Sequence, residues 1–510
     1  MKENRNYARV TDVLQRNHIA GIILILLIYA ICIILFSPYP RGTDQYWNLG
    51  NIERIVHMDG VWKTNNIFPA GMPEDTENLP RPWVQNRPVT YLGAVFGIFT
   101  GNAHIGWMLM NFLLLAAILR IFTTLAVSAD KVHPAFFPCA ALVVFNPLIF
   151  YLGMQALPEI FNCLLAIALF GVLVKVKSAV PKALVSAVLA GMLYYQRESF
   201  VLVFLLVPAF LYIFLSGKER WLGIISFVCA VAILYAVKPL VFPAHTIHPI
   251  SALHQLTEVR PGNSNMVNYL FPNPPDRSAG EAMQILGKKI VKAAELQFIP
   301  KGSEAIFFYT INLLLIPLGI LLYRYKTLEE NLKQEVFFIA GMVVIQAATV
   351  IIFENQNRFS SVLMPMLVLV LYRLISRKVV YQPWKVYIPL GPVIVLAGLI
   401  GFNNLSEARK DKKLLAELKI IREITDRSAV MVPYYGGRAI MLSYVVMPDY
   451  IYYFPGRYDW DNLVEVSKKL NTTWFLYPGH ISFADKIAPL IEESHELAGG
   501  LRLSRLRISE

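Results

Sequence analysis

Charge is scarce in this chain. Only 16% of its 510 residues are Asp, Glu, Lys or Arg, while 56% are hydrophobic and the mean hydropathy is +0.49. A soluble chain carries about a quarter charged residues, so the deficit excludes an ordinary soluble domain. Cysteine is rarer still. Cys32, Cys139, Cys163 and Cys229 all fall in apolar segments without metal-ligand spacing, which excludes a cysteine metal site and reads as buried apolar thiols. No G-x-G-x-x-G run, internal repeat or low-complexity segment is present, so no nucleotide site is expected. Charges deep within the apolar runs are few, which weighs against an ion-coupled transporter with a midplane site. The net charge of +12 is spread in short clusters between hydrophobic runs. That pattern argues against nucleic acid and fits orientation by cytoplasmic positive charge.

What is present is a series of apolar runs long enough to cross a hydrocarbon core of about 30 Å. The first, Ile19 to Phe36, follows Lys2, Arg5, Arg9 and Arg16 and ends at a poor cleavage site, Ser37-Pro-Tyr-Pro-Arg41. It reads as a retained span with a cytoplasmic amino terminus. Ten more spans are expected, at Ile105–Val127, Ala135–Leu152, Leu157–Val174, Ala183–Tyr195, Phe200–Leu215, Trp221–Val237, Ala305–Tyr323, Val336–Phe353, Val362–Ile375 and Val386–Phe402. The basic clusters Lys175/Lys177/Lys182, Lys218/Arg220, Arg324/Lys326 and Arg373/Arg377/Lys378/Lys385 then share the cytoplasmic side. An all-α polytopic membrane protein of about eleven transmembrane helices follows. Pro88 to Thr100 is apolar but too short to span, and fits an interfacial helix, the alternative being a tilted extension of the next helix.

Residues 1–402 thus form a transmembrane module with outer loops 38–104 and 242–304. The second loop holds His245, His248 and His254, with a helical stretch at Ala282 to Leu296. After Phe402 the composition changes. A charged helix, Glu407–Ile424, precedes strand-like runs at Ala429–Val432, Tyr450–Phe454 and Thr473–Tyr477, with helices expected at Asn462–Leu470 and Phe483–Glu493. Residues 403–510 read as a small extracytoplasmic α/β domain. The sequon Asn471-Thr-Thr473 inside it is taken as chance.

The candidate chemistry gathers on the outer face. Asp44, in Arg41-Gly-Thr-Asp-Gln-Tyr-Trp47, follows the first span closely. A carboxylate there suits a general base, or a ligand to a divalent metal; a solvated juxtamembrane acid is the plain alternative. Glu53, Asp59 and His57 in the same loop read as surface groups. Arg87, just before Pro88, sits at headgroup depth, where a guanidinium grips phosphate with two hydrogen bonds or merely snorkels to lipid. Arg197, in an outside turn that positive charge normally avoids, points to an anionic partner, which Glu198 could supply. Glu159, after Pro158, reads first as a helix-terminal acid favoured by the macrodipole. Glu354 and Arg358 occupy a further outer turn.

The order of these pieces resembles the GT-C superfamily of polytopic glycosyltransferases, similar to the bacterial aminoarabinose transferase and protein mannosyltransferase group. The resemblance rests on Asp44-Gln-Tyr, Asn86-Arg-Pro through Gly101, Asn146-Pro through Glu159, Gln196-Arg-Glu-Ser199 and Asn357-Arg-Phe-Ser360. It implies an integral plasma-membrane enzyme, a hexosyl- or pentosyltransferase. Such an enzyme moves a sugar from a polyprenyl-phosphate-linked donor to a glycan, lipid or protein acceptor, with inversion. Asp44 would be the acceptor-side base, and Arg87, Arg197 and Arg358 would neutralise the lipid phosphate. Many members carry a second acid directly after the first; Gln45 stands there in this chain, which leaves metal dependence open and makes Glu159 the candidate second carboxylate. A cell-envelope glycan ligase or polymerase using the histidine loop is the alternative, and a lipid-linked-sugar flippase or transporter a weaker one.

Overall fold

The computed structural model describes residues 18–41, 45–46, 48–50, 52, 88–127, 132–196, 198–241, 278–299, 305–353, 357–377, 387–388, 390–426, 428, 430–432, 451–453, 473–478, 488–497 and 500–507. Among the expected features, Asp44, Arg87, Arg197, Glu354, the three loop histidines and the helix at Asn462–Leu470 lie outside the described residues.

The first helix, α1 (His18–Phe36), is apolar on every side. Gly21, Ile25, Tyr29 and Ile33, spaced by one turn, face the bundle, whereas Ile19, Ile23, Leu24, Leu27 and Ile31 are exposed. A helix with a buried stripe and an equally apolar outer face is suited to lipid rather than water. Helix α2 (Pro88–Thr100) folds back on α3 (Ala103–Ala126) through Gly101, whose φ of +67° favours glycine. A Cβ on Gly106 would lie 2.6 Å from the Gly97 amide nitrogen. The two helices are therefore a tight hairpin, and the short one is no extension of the next.

Helices α4 (Phe136–Phe145) and α5 (Pro147–Gly153) form a pair bent by 50° at Asn146, where Pro147 starts a new helix. There follow α6 (Glu159–Lys175), α7 (Ala179–Gln196), a 3-10 turn (Glu198–Leu202) leading into α8 (Val203–Phe214), and α9 (Gly217–Val241). Then come α10 (Ala279–Phe298), α11 (Ala305–Tyr323), α12 (Glu330–Phe353), a 3-10 segment (Asn357–Leu363), α13 (Met364–Ser376), α14 (Leu390–Leu418) and α15 (Ile420–Ile424). Six of the described helices are long and apolar enough to cross a membrane, and the bent pair makes a seventh. The other expected stretches are also helical, but those helices are shorter or more polar than that standard. The chain is an integral membrane protein.

One difference lies at the end of the membrane part. The sequence suggests a span ending at Phe402 and a separate charged helix; α14 instead runs through both without a break. No proline or glycine interrupts Phe402 to Leu418, and Asn404 Nδ2 donates to the Phe36 carbonyl at 2.7 Å, holding the junction beside the end of α1. The division placed at residue 402 thus falls within one helix.

The carboxyl-terminal part is a five-stranded sheet in the order β2-β1-β3-β5-β4, from β1 (Val430–Val432), β2 (Ile451–Tyr453), β3 (Trp474–Pro478), β4 (Ile491–Leu497) and β5 (Leu501–Leu506). β1 runs parallel to β2 and β3, and β5 antiparallel to β3 and β4. The helix expected at Phe483–Glu493 is corrected: residues 491–497 are strand. Gly500, at φ +72°, helps turn the chain back, and the cross-strand pair Arg502–Glu496 closes at 2.6 Å. Pairing with a neighbour outweighs the helical propensity of Ile491-Glu-Glu-Ser494. Of the thiols, Cys139 and Cys163 are buried as expected, Cys32 is half-buried and Cys229 is exposed; all four are free.

Candidate active site

The turn from Gly153 to Glu159, between α5 and α6, is held by side chains from α3, the end of α1 and the first loop. Asn111, a polar residue inside α3, donates through Nδ2 to the carbonyls of Gly153 and Gln155 at 3.1 and 2.8 Å. Ser37 Oγ, just past α1, donates to the Met154 carbonyl at 2.8 Å. Two residues of the first loop then clasp Ala156: its amide donates to Gln45 Oε1 at 3.1 Å, and its carbonyl accepts from Asn48 Nδ2 at 2.7 Å. Arg41 lies over the Tyr151 ring, 5.1 Å from its centroid, and donates to the Tyr151 hydroxyl at 2.8 Å. Tyr46 hydroxyl donates to the Pro40 carbonyl at 2.8 Å, folding the first loop on itself. Every backbone group so held is one that would otherwise be costly to bury.

This lacework gives Gln45 a role that the sequence concealed. At that position it departs from an acid pair, and in the fold its side chain ties the first loop to the turn leading to Glu159. Asp44 is its immediate neighbour in the chain. Arg41 was likewise not singled out; its place in the same heptapeptide as Asp44 was the available signal. Asn111 was not singled out either; the signal available for it was a polar side chain within an apolar span.

Glu159 opens α6. Pro158 occupies the N-cap position and Glu159 the first turn, where the helix dipole favours a negative charge. Its role goes beyond capping, because its side chain is only 1% exposed and Oε1 lies 3.5 Å from Nε of Arg358, itself 24% exposed. Arg358 enters from the 3-10 segment after α12, which Cys163 Sγ secures by donating to the Ser361 carbonyl at 3.2 Å. The structure therefore unites two of the five expected site residues, Glu159 and Arg358. Asp44, Arg87 and Arg197 are outside the described residues, as noted. Around the pair, Gln155, Asn162 and Gln196 are buried, and each has a side-chain amide atom without a hydrogen bond within the protein. Asn162 shares a face of α6 with Glu159, one turn on. Gln196 ends α7, which packs along α6. Such buried amide capacity suits a hydroxyl-rich ligand. Among the described residues no group of three His, Cys, Asp or Glu side chains is placed to hold a metal ion.

A second ion pair marks the opposite end of the bundle. Arg373 of α13 grips Glu335 of α12 with Nε and Nη2 at 3.0 and 2.8 Å, and Nη2 also donates to the Leu125 carbonyl at 2.7 Å. From Glu335 to Phe353, the last residue of α12, the rise is about 27 Å, close to the thickness of a bilayer core. The two pairs thus belong to opposite faces. One fastens three helix ends; the other lies in the polar turn cluster.

No protein-family model matches the sequence, and no curated protein matches it. Solved structures do. The oligosaccharyltransferase of Archaeoglobus fulgidus, tethered with an acceptor peptide containing the NVT sequon, superposes with a TM-score of 0.56 at 12% identity, over 90% of this chain and 69% of that one. ArnT from Cupriavidus metallidurans bound to undecaprenyl phosphate gives 0.55 at 8% identity, over 94% and 97%. The Archaeoglobus fulgidus protein AglB, in complex with an inhibitory peptide and a dolichol-phosphate, gives 0.51 at 12%, over 90% and 69%. Identities this low speak to the fold: the chain has the GT-C fold.

Proposed function

We propose, from the GT-C fold of this integral membrane protein, that it is a glycosyltransferase moving a sugar from a polyprenyl-phosphate donor to an acceptor at the outer membrane face. The observation that carries this reading is the ion pair of buried Glu159 with Arg358, at the end of a turn that Gln45 ties down through Ala156, with Arg41 held on Tyr151 just before that turn; Arg41 and Gln45 stand on either side of Asp44 in the chain. Polyprenyl or dolichyl phosphate bound to proteins of the same fold supports a donor of that class. The amino terminus would be cytoplasmic, with eleven spans leaving the carboxyl-terminal sheet outside.

In the proposed reaction an acceptor oxygen or nitrogen attacks the anomeric carbon from the face opposite the phosphate. The new bond forms as the carbon–oxygen bond to phosphate breaks, and the configuration inverts. Asp44 takes the acceptor's proton. Polyprenyl phosphate departs with the bonding electrons, and Arg87 and Arg197 stabilise its charge. Arg41 is added to that basic set because its guanidinium already has one fixed hydrogen bond at this face. Arg358, held in place by its pair with Glu159, adds its positive charge beside the departing phosphate. The sugar's hydroxyls meet the amides of Gln155, Asn162 and Gln196. Were a divalent metal used, Asp44 and Glu159 would be its carboxylates.

The test is transfer from a set of radiolabelled undecaprenyl-phosphate sugars in membranes containing the wild type or Asp44→Asn. Transfer by the wild type and loss in the variant are expected. Failure of the wild type with every donor would overturn the enzyme reading, and full activity of Asp44→Asn would remove that residue from the chemistry.

A further inference from the structure

Helix α10 is unlike the spans around it. It begins with a capping box: Glu281 N donates to Ser278 Oγ at 3.3 Å, and Ser278 N donates to Glu281 Oε2 at 3.0 Å. Near its other end a reciprocal amide pair fastens it to α11, Gln297 Nε2 donating to Asn312 Oδ1 and Asn312 Nδ2 to the Gln297 carbonyl at 2.7 Å. Its body packs against α11 and α12. Despite this anchoring it is too polar to rank among the helices able to cross a membrane.

Its outer surface is strongly divided. Met283, Gly287, Ile290, Val291, Ala294 and Phe298 are all exposed. At about 100° per residue they fall within an arc of about 100°. The large side chains on that strip are open to a degree unusual in water, with Met283 at 67%, Val291 at 68% and Phe298 at 70% exposure. Lys288 and Lys292, also exposed, lie one turn apart along one flank of the strip, which they share with the exposed Glu281 and Glu295.

The position of the amide pair says what covers it. Asn312 is seven residues into α11, a membrane-spanning helix, so the end of α10 lies about 10 Å along that span. An amphipathic helix in a bilayer interface rests with its apolar face about 5–10 Å into the headgroup and acyl boundary. Tyr309, Leu313 and Ile316 form the exposed apolar stripe of α11 next to this level. We propose that α10 is an in-plane membrane anchor, its Met283–Phe298 strip immersed at the acyl boundary and Lys288 and Lys292 holding the phosphates of anionic phospholipids. This does not depend on the activity proposed above. It would fix the second outer loop to the bilayer surface where a lipid-linked substrate arrives.

The experiment uses the full chain in nanodiscs of phosphatidylcholine with or without phosphatidylglycerol. In a background with the four native cysteines replaced, single Cys variants at Met283, Val291, Lys288 and Lys292 carry an environment-sensitive fluorophore. Brominated acyl chains should quench the labels at 283 and 291 several-fold more than aqueous iodide does, and the order should reverse at 288 and 292. Equal iodide quenching at 291 and 288 would overturn the proposal, because the strip would then be in water. Protection from both quenchers would do so too, showing a protein cover. With the label at 291, Lys288→Ser/Lys292→Ser should abolish any spectral difference between discs with and without phosphatidylglycerol; a difference that persists would refute the headgroup contacts. Should labelled variants not fold, the wild type is cross-linked with a phospholipid bearing a diazirine in its acyl chain. Adducts on peptides covering 283–298 are expected, and labelling confined to the spanning helices would refute the anchor.

Discussion

Replacing Glu159 by Gln separates a chemical role from a structural one. At 3.5 Å, and an effective dielectric constant of about 20, the attraction between Glu159 and Arg358 is roughly 5 kcal/mol before other costs. A carboxylate exposed by only 1% has lost nearly all its hydration, which offsets much of that gain. Arg358 remains 24% exposed, so screening weakens the pair further. A net contribution of about 1–3 kcal/mol remains. Glu159→Gln keeps the shape and one acceptor oxygen, so the lost charge is felt mainly by Arg358, whose proposed aim at the leaving phosphate would depend on it. We expect kcat for sugar transfer to fall by about 10²-fold, the size of effect typical of a misplaced charge-stabilising or proton-transfer group. Thermal unfolding in detergent should shift by only a few degrees. Glu335→Gln serves as the contrast. It breaks a closer, two-pronged pair at the other face and should lower the unfolding temperature at least as much while leaving kcat in the folded fraction near wild type. Unchanged transfer by Glu159→Gln, or an equal loss of kcat in Glu335→Gln, would refute the reasoning.

Three further outcomes follow from the same geometry. Gln45→Leu deletes the acceptor of the Ala156 amide and leaves a buried donor unpaired, costing about 1–3 kcal/mol; transfer assays should show a larger loss in kcat than in KM. Arg41→Lys retains charge but loses the planar stacking on Tyr151, and kcat/KM should drop by about tenfold, as a lost contact of roughly 1.4 kcal/mol implies. Gly106→Val places a side chain where the α2 backbone already lies, 2.6 Å from a Cβ. Overpacking of about 1–3 kcal/mol should appear as a lower unfolding temperature and faster proteolysis near residue 101.

Membrane character was readable at once, since hydrocarbon-length apolar runs and scarce charge leave a chain little choice of solvent. So were the individual helices of the bundle and three strands of the terminal sheet, each encoded in local periodicity. Helix Phe483–Glu493 was misread because residues 491–497 become a strand only by pairing with Leu501–Leu506, a partner that local propensity cannot see. The uninterrupted α14 was missed for a similar reason: the drop in hydropathy after Phe402 marks a change of surroundings, and no residue there breaks the helix. Among the site residues, Glu159 and Arg358 could each be suspected from position, but not their union, which spans the chain from α6 to the segment after α12. Gln45 read as a departure from an acid pair until the fold set it against Ala156. Sequence by itself determined the solvent and the helices, because these follow from near-neighbour patterns of polarity. Only the tertiary structure decided which groups meet, because the packing of helix ends brings distant polar turns together and buries them where each charge needs a partner.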